Sequence, residues 1–326
     1  MTQLTLRLCT LLRSHPYCWS GMDDLTYTPL TPLLLHPGLP SGIRLLLKRD
    51  DLLHPVIQGN KWRKLEPALK QVQQEGRSGI LTFGGPFSNH LHAVAAAGQV
   101  FGIKTTGIVR GTAADFNNPT LGYARSCGMA LFAVPKKDFD EKGPFTQDVI
   151  REFPDYLYLP EGGATPAAAA NCQQLANEIY QQLTELGISA AQNPIFLAIP
   201  AGTGCTAAGL AAGWSLPGTV LIFPAATYGV DMEALQSFWP ANRAPIPEIR
   251  FIPHYTQGGF AKLPPDLYAF VRQFETDTGI LLDPVYTSKM MFGIFDLLDS
   301  SYFPEKSVVV VVHTGGLQGW NGVTRE

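Results

Sequence analysis

Apolar positions along the chain follow two periods. In "KWRKLEPALKQVQQEG" (61–76), Trp62, Leu65, Leu69 and Val72 recur at helical spacing and share one face. Pro67 lies inside that run, which is tolerable only near a first turn, so the helix is expected to begin close to Lys61. Short, near-continuous apolar runs alternate with such patterns: "IRLLLKRD" (43–50), "GILTFGG" (79–85), "IKTTGIV" (103–109), "MALFAV" (129–134), "YLYLP" (156–160), "PIFLAIP" (194–200), "TVLIFPAA" (219–226) and "SVVVVVH" (307–313). Helices are predicted between and after them, over 88–102, 119–128, near 148–153, and over 164–186, 205–215, 265–279 and 288–301. Apolar strands alternating with helices argue for an α/β fold with mainly parallel sheets covered on both faces. The strands are too many for one compact half, so two three-layer α/β lobes with a cleft between them are expected. The proline-rich "YTPLTPLLLHPGLP" (27–40) reads as an extended N-terminal strap.

Composition narrows the class. Of the 326 residues, 45% are hydrophobic and 16% charged, as in a well-packed protein rather than a disordered one. Lys and Arg number 24 against 27 Asp and Glu, a net charge of -3, and no basic block gives electrostatic support to a nucleic-acid or membrane-surface role. No apolar run reaches the roughly 18 residues of a membrane-spanning helix. Arg7 and Arg13 interrupt the N-terminal apolar pattern, so no secretory signal is expected. Cys9, Cys18, Cys127, Cys172 and Cys205 lack zinc-like spacing, which suits reduced thiols in a cytoplasm and no metal site.

Several loops then stand out. In "IPAGTGCTAAGLAAG" (199–213) a strand ends and Gly202, Thr203, Gly204, Cys205 and Thr206 lead into a helix. Glycines let backbone N–H groups converge on an anion, and a helix N-terminus adds positive potential. The lysine of a nucleotide loop is missing, so a single phosphate fits better than a nucleoside triphosphate; a plain tight turn is the alternative. "FGGPFSNHLHAV" (83–94) repeats the strand–glycine–helix arrangement, with Ser88 or Asn89 most simply an N-cap. His90 and His92 fall on different faces, against a joint metal site. "HTGG" (313–316) and "DPVYTSKMM" (283–291) are turn-like, with Asp283 a turn or cap residue. Lys61 opens its helix behind Gly59 and Asn60, where a cation opposes the dipole. Such a local violation marks a functional position or an ordinary solvated lysine, and local physics leaves both open.

Taken together, "KRDDLLHPVIQGNKWRKLE", "FGGPFSNH", "AGTGCTAAG", "DPVYTSK" and "HTGG" resemble the pyridoxal-phosphate enzymes of the tryptophan-synthase-β fold group (fold type II). Within it they resemble the branch of D-cysteine desulfhydrase and 1-aminocyclopropane-1-carboxylate deaminase. The resemblance implies pyridoxal 5'-phosphate in the cleft, a small amino-acid substrate and a homodimer. It also implies a larger cofactor-binding domain (1–64 and 161–326) and a smaller substrate-side domain (65–160). Lys61 matches the Schiff-base lysine, with Lys64 left as a scaffold charge. Asn89 matches the partner of the pyridine O3′, and Gly202–Thr206 the phosphate cradle. Ser88 and His90 fall on the substrate side, and Tyr286 at the ring or substrate. Thr287, or else Thr314, falls where the pyridine nitrogen finds its partner.

The branch is also readable by resemblance. The deaminases carry a glutamate where this chain has Thr287, and they show "SNQ" where this chain has "SNH". A neutral partner makes the ring a weaker electron sink, which suits elimination of a good leaving group better than cyclopropane opening. The expected activity is therefore α,β-elimination, as of D-cysteine to pyruvate, sulfide and ammonia. The alternatives are the cyclopropane deaminase, a related enzyme with another amino-acid substrate, or a cofactor-binding protein without turnover. Phe87 replaces a glutamine of both relatives, and Phe260 stands near their substrate-lining tyrosine. Both changes make the pocket less polar.

Overall fold

A computed structural model describes residues 27–33, 42–140, 143–226, 230–240 and 247–323. Cys9, Cys18, the N-terminal arginines and the second half of the strap (34–40) lie outside the described residues. In chain order the strands are β1 (Leu30–Pro32), β2 (Arg44–Lys48), β3 (Gly79–Gly84), β4 (Lys104–Arg110), β5 (Ala130–Val134), β6 (Tyr156–Leu159), β7 (Ile195–Ala201), β8 (Thr219–Pro224), β9 (Glu248–Phe251) and β10 (Val308–Val312). The α-helices are α1 (Asn60–Glu75), α2 (Asn89–Phe101), α3 (Pro119–Ser126), α4 (Pro144–Glu152), α5 (Pro166–Glu185), α6 (Cys205–Gly213), α7 (Met232–Gln236), α8 (Pro265–Thr278) and α9 (Thr287–Asp299).

The strands form two sheets. One has six strands in the order β1-β2-β10-β7-β8-β9, the other four in the order β5-β4-β3-β6. Every pairing is parallel except β1 with β2, which puts part of the proline-rich strap on the edge of the larger sheet. Edge placement suits a strand that carries proline. β10 shows why its run is apolar throughout. Val309 and Val311 pack with Leu267, Met290 and Ile294 of α8 and α9, whereas Val308, Val310 and Val312 face Leu175, Ile179 and Leu210 of α5 and α6. Side chains alternate across a strand, so burial of both faces requires an unbroken apolar sequence.

The smaller sheet is covered likewise. Ile80 and Val109 share a core with α1 and α2, and Leu81, Phe83 and Ile108 pack toward Val149 and Ile150 of α4. The expected face of α1 is buried: Trp62, Leu65, Leu69 and Val72 are all in this core, together with Leu53 and Ile57. The division expected at residue 64 thus falls inside a continuous helix.

Pro67 corrects another expectation, because it lies beyond the first turn of α1 rather than within it. Proline has no N–H, so the carbonyl of Arg63, four residues earlier, loses its helical partner. Asn171 of α5 replaces it: its Nδ2 donates to the Arg63 carbonyl at 2.8 Å and to Glu66 Oε2 at 2.9 Å. The same helix pair is joined by a buried ionic cluster. Arg63 donates from Nε and Nη2 to Asp50 at 2.7 Å each and from Nη1 to Glu178 at 2.7 Å, and Lys48 Nζ reaches Glu178 at 2.6 Å. Burial alone would raise the Asp50 carboxyl, but Arg63 overrides it and holds the group below the usual carboxylate range.

Candidate active site

The carboxyl ends of β3, β4, β7, β8 and β10 lead into one cleft of about 590 Å³. Ligands in open parallel sheets bind at such ends. The cleft wall includes Lys61 and Lys64 from α1, Ser88 to His90 after β3, and Gly202 to Ala207 after β7. Tyr286, Phe260 and Thr314 to Gly316 complete the residues expected there. Five separated motifs of the sequence therefore meet in one place.

Lys61 is positioned by its neighbours on both sides. Gly59 adopts φ 51°, and a Cβ there would lie 2.2 Å from the Thr314 carbonyl oxygen. Only glycine allows the turn before α1 to press this closely on the "HTGG" loop. The contact is fastened by the Asn60 N–H, which donates to the Thr314 carbonyl at 3.3 Å. Gln58 Oε1 accepts from the Gly316 and Leu317 N–H groups, each at 3.2 Å. Asn60 then links the lysine to the glycine-rich loop: its Oδ1 accepts from Lys61 Nζ at 3.4 Å, and its Nδ2 donates to Thr206 Oγ1 at 3.3 Å. Burial of the amine, and then the Lys64 charge, lower the Lys61 pKa to about 7. An amine half neutral near pH 7 is a competent nucleophile and base.

Lys64 is no scaffold charge on the surface. It is buried, and its Nζ donates to the Gly162 carbonyl and lies 3.5 Å from Thr203 Oγ1. Helix α6 begins at the glycine-rich loop with no side-chain cap and no acidic residue in its first turn. By contrast, Ser88, Asn118, Thr165 and Asp231 cap α2, α3, α5 and α7. Open helix-end N–H groups, the Thr203 and Thr206 hydroxyls and the Lys64 ammonium make a donor set for a phosphate.

On the opposite wall, Ser88 is the N-cap of α2. Its Oγ accepts from the N–H groups of His90 and Leu91, each at 3.2 Å, which leaves its own O–H to donate. Asn89 lines the cleft beside Gly316 (φ 94°), where a Cβ would meet Asn89 Nδ2 at 2.8 Å. His90 Nε2 lies 2.9 Å from Thr82 Oγ1, which itself donates to the Leu159 carbonyl. The Thr82 proton is thus committed, so His90 carries its hydrogen on Nε2, and Nδ1 has no partner among the described residues. Burial, then Lys64 and Lys61, push the imidazole well below its ordinary pKa. His92 turns away and stacks on Tyr123 with ring centroids 4.2 Å apart, as the different faces of the two histidines predicted.

Thr287 is not part of the cleft wall. Its Oγ1 accepts from the Asp283 N–H at 2.8 Å and donates to Asp283 Oδ1 at 2.8 Å, so both functions are used. Asp283 also accepts from the N–H groups of Val285, Tyr286 and Thr287, the cap role expected of it. Of the two threonines offered as partners of the pyridine nitrogen, Thr314 is the one at the wall. Tyr286 lines the cleft, and burial, then the Asp283 and Glu161 charges, keep its phenol protonated above the usual range. Phe260 sits edge-on to Tyr286 at 5.9 Å. The Phe260 loop is held by the buried Lys289, whose Nζ donates to the carbonyls of Ala225, Thr256 and Gly259.

Sequence reasoning missed two charged residues of the wall. Glu161 follows β6 with no motif around it. Arg110 closes β4, and its place at the carboxyl end of a parallel strand was the signal that marks it.

Two mainly parallel sheets, a cleft at the carboxyl ends of their strands, a buried lysine and an uncapped helix start on its wall make a site suited to a phosphate-bearing compound that reacts with an amine. The sequence profile of the pyridoxal-phosphate dependent enzymes matches residues 25–315, and the chain belongs to that family. It is 28% identical over 307 residues to the D-cysteine desulfhydrase of Salmonella newport, covering 88% of this chain and 91% of that one. It is also 28% identical to the bifunctional D-cysteine desulfhydrase/1-aminocyclopropane-1-carboxylate deaminase of Arabidopsis thaliana, over 87% of this chain and 75% of that one. The crystal structure of an ACC deaminase homologue superposes with a TM-score of 0.70 at 24% identity, covering 96% of this chain and 95% of that one.

Proposed function

We propose that the chain is a lyase performing α,β-elimination on a small amino acid, with D-cysteine as the reference substrate and pyruvate, sulfide and ammonia as products. The observation that carries this is the Lys61 amine, lowered to about 7 and tied through Asn60 to the glycine-rich loop. In this reading the α6 N-terminus, Thr203, Thr206 and Lys64 hold the cofactor phosphate, and Asn89 holds the ring hydroxyl. Gly202, Gly204 and Cys205 contribute backbone to the same cradle. When bound, the cofactor supplies an electron sink for the negative charge that develops at the substrate Cα. Lys61 Nζ takes the α-proton, and its low pKa leaves it free to accept one at neutral pH. The Ser88 O–H, left to donate while its oxygen caps α2, holds the substrate carboxylate, with His90 fixing the start of that helix through Thr82. Tyr286, kept protonated, donates toward the departing group. Thr314 offers the ring nitrogen a neutral hydroxyl, and the weaker electron sink this makes suits elimination of a good leaving group.

The reading includes a homodimeric, cytoplasmic enzyme with a small-molecule partner. Cys127, Cys172 and Cys205 are free, as suits a reducing compartment. Among the described residues no helix is long and apolar enough to cross a membrane. The test is a panel of D- and L-amino acids with 1-aminocyclopropane-1-carboxylate, scored for sulfide, α-keto acid and ammonia. Sulfide and keto acid from D-cysteine, in equal amounts, are expected. Keto acid and ammonia from the cyclopropane substrate alone would reverse the choice.

A further inference from the structure

Among the described residues three basic side chains line the cleft: Lys61, Lys64 and Arg110. Lys61 has the covalent role, and Lys64 faces Gly162 and the glycine-rich loop. Arg110 has neither task. It ends β4, and β4 pairs in register with β3 so that Val109 lies opposite Gly84. This sets the guanidinium against the loop that leads to Ser88, with Nη2 3.3 Å from where a Gly85 side chain would begin. It lies over the Phe139 ring at 5.3 Å, a contact that orients the group without neutralising it. Among the described residues Arg110 forms no salt bridge with a carboxylate, and the side chain stays exposed. Phe87 and Phe260 stand at the same cleft, 53% and 55% exposed, so their rings are open to a ligand.

An unpaired, oriented guanidinium on the substrate side of a cleft is a carboxylate site, since Arg matches that group with two donors. In that reading the α-carboxylate is taken by the Ser88 hydroxyl. We propose that Arg110 is a specificity-determining residue that binds a second, distal carboxylate. The substrate class is then a β-substituted alanine whose leaving group has a short apolar linker, lying along Phe87 and Phe260, and ends in an acid. This rests on the lyase reading above and narrows it: free cysteine fills the reacting positions but leaves Arg110 unused.

The test uses the cofactor-loaded protein and both enantiomers of S-(2-carboxyethyl)cysteine, each beside its terminal amide. The acid and amide have the same shape and differ in charge. Their α-methyl analogues lack the α-proton and bind without turnover, so calorimetry gives the affinity ratio directly. The acid is expected to bind roughly 10- to 100-fold tighter than the amide, and Arg110→Gln to bring that ratio near one. Arg110→Lys, which keeps a charge but not the fork, should retain part of the ratio. The proposal is overturned by a wild-type ratio near one, a reading that needs no variant to fold. It is equally overturned if Arg110→Gln weakens acid and amide alike and keeps the ratio. A protein with no Lys61-dependent cofactor absorbance overturns the parent reading, whereas normal absorbance with no acid preference overturns only the role of Arg110.

Discussion

At the scale of single residues, the central group is an amine whose chemistry is set by its burial and one charged neighbour. Burial and the Lys64 charge lower the Lys61 pKa to about 7 from 10.5. Between those values the folded chain holds fewer protons at this site than the unfolded chain. Folding stability from Lys61 therefore rises with pH over that window in the cofactor-free protein, and the site is most unfavourable below about 7. Labelling of the cofactor-free protein with an amine-directed reagent, followed by peptide mapping, should show Lys61 titrating near 7. Lys64→Met removes the second cause and should raise that midpoint; an unperturbed lysine titrating near 10.5 contradicts the assignment. Local sequence physics left Lys61 open, because its distinction comes from groups distant in the chain; only the resemblance of the five motifs taken together assigned it. Lys64 was read as a scaffold charge for the same reason, since its acceptor, Gly162, is 98 residues away. Thr287 and Thr314 were equivalent as letters. What separates them is the Asp283 carboxylate folding back on Thr287, a hydrogen-bonding arrangement that no spacing reveals.

At the scale of elements, periodicity was legible where an element has one clear face or none exposed. The helices α1, α5 and α8 and the apolar strands of both sheets begin and end within a few residues of expectation. β9 escaped because "EIRF" is a half-exposed edge strand, and α7 because its five residues carry no full helical period. Pro67 shows how a local rule is overridden by packing. The carbonyl it frees is satisfied from α5 by Asn171, so the helix continues. Asn171→Ala should then cost about 1–3 kcal/mol in chemical denaturation, the range for leaving a buried acceptor unpaired. In a Pro67→Ala background, where the helical N–H returns, the same change should cost less. Equal costs in the two backgrounds would show that Asn171 does not serve the Arg63 carbonyl.

At the scale of the molecule, the α/β class and the presence of two lobes followed from the strand–helix alternation. The sheet orders did not, because nothing in the sequence says that β10 enters between β2 and β7. That insertion is what carries the "HTGG" loop to Gly59 and so to Lys61. The ionic cluster of Lys48, Asp50, Arg63 and Glu178 then locks α1 against β2 and α5, holding the lysine helix to the larger sheet. The whole arrangement converges on one claim, that Lys61 is the covalent anchor of the cofactor. Its most direct measurement is borohydride reduction of the cofactor-supplied protein, followed by peptide mapping, with Lys61→Ala in parallel. The pyridoxyl group should be found on Lys61, and the variant should lose both the adduct and the absorbance band at the edge of the visible. An adduct on Lys64 or another lysine, or a band that survives in Lys61→Ala, would contradict the account.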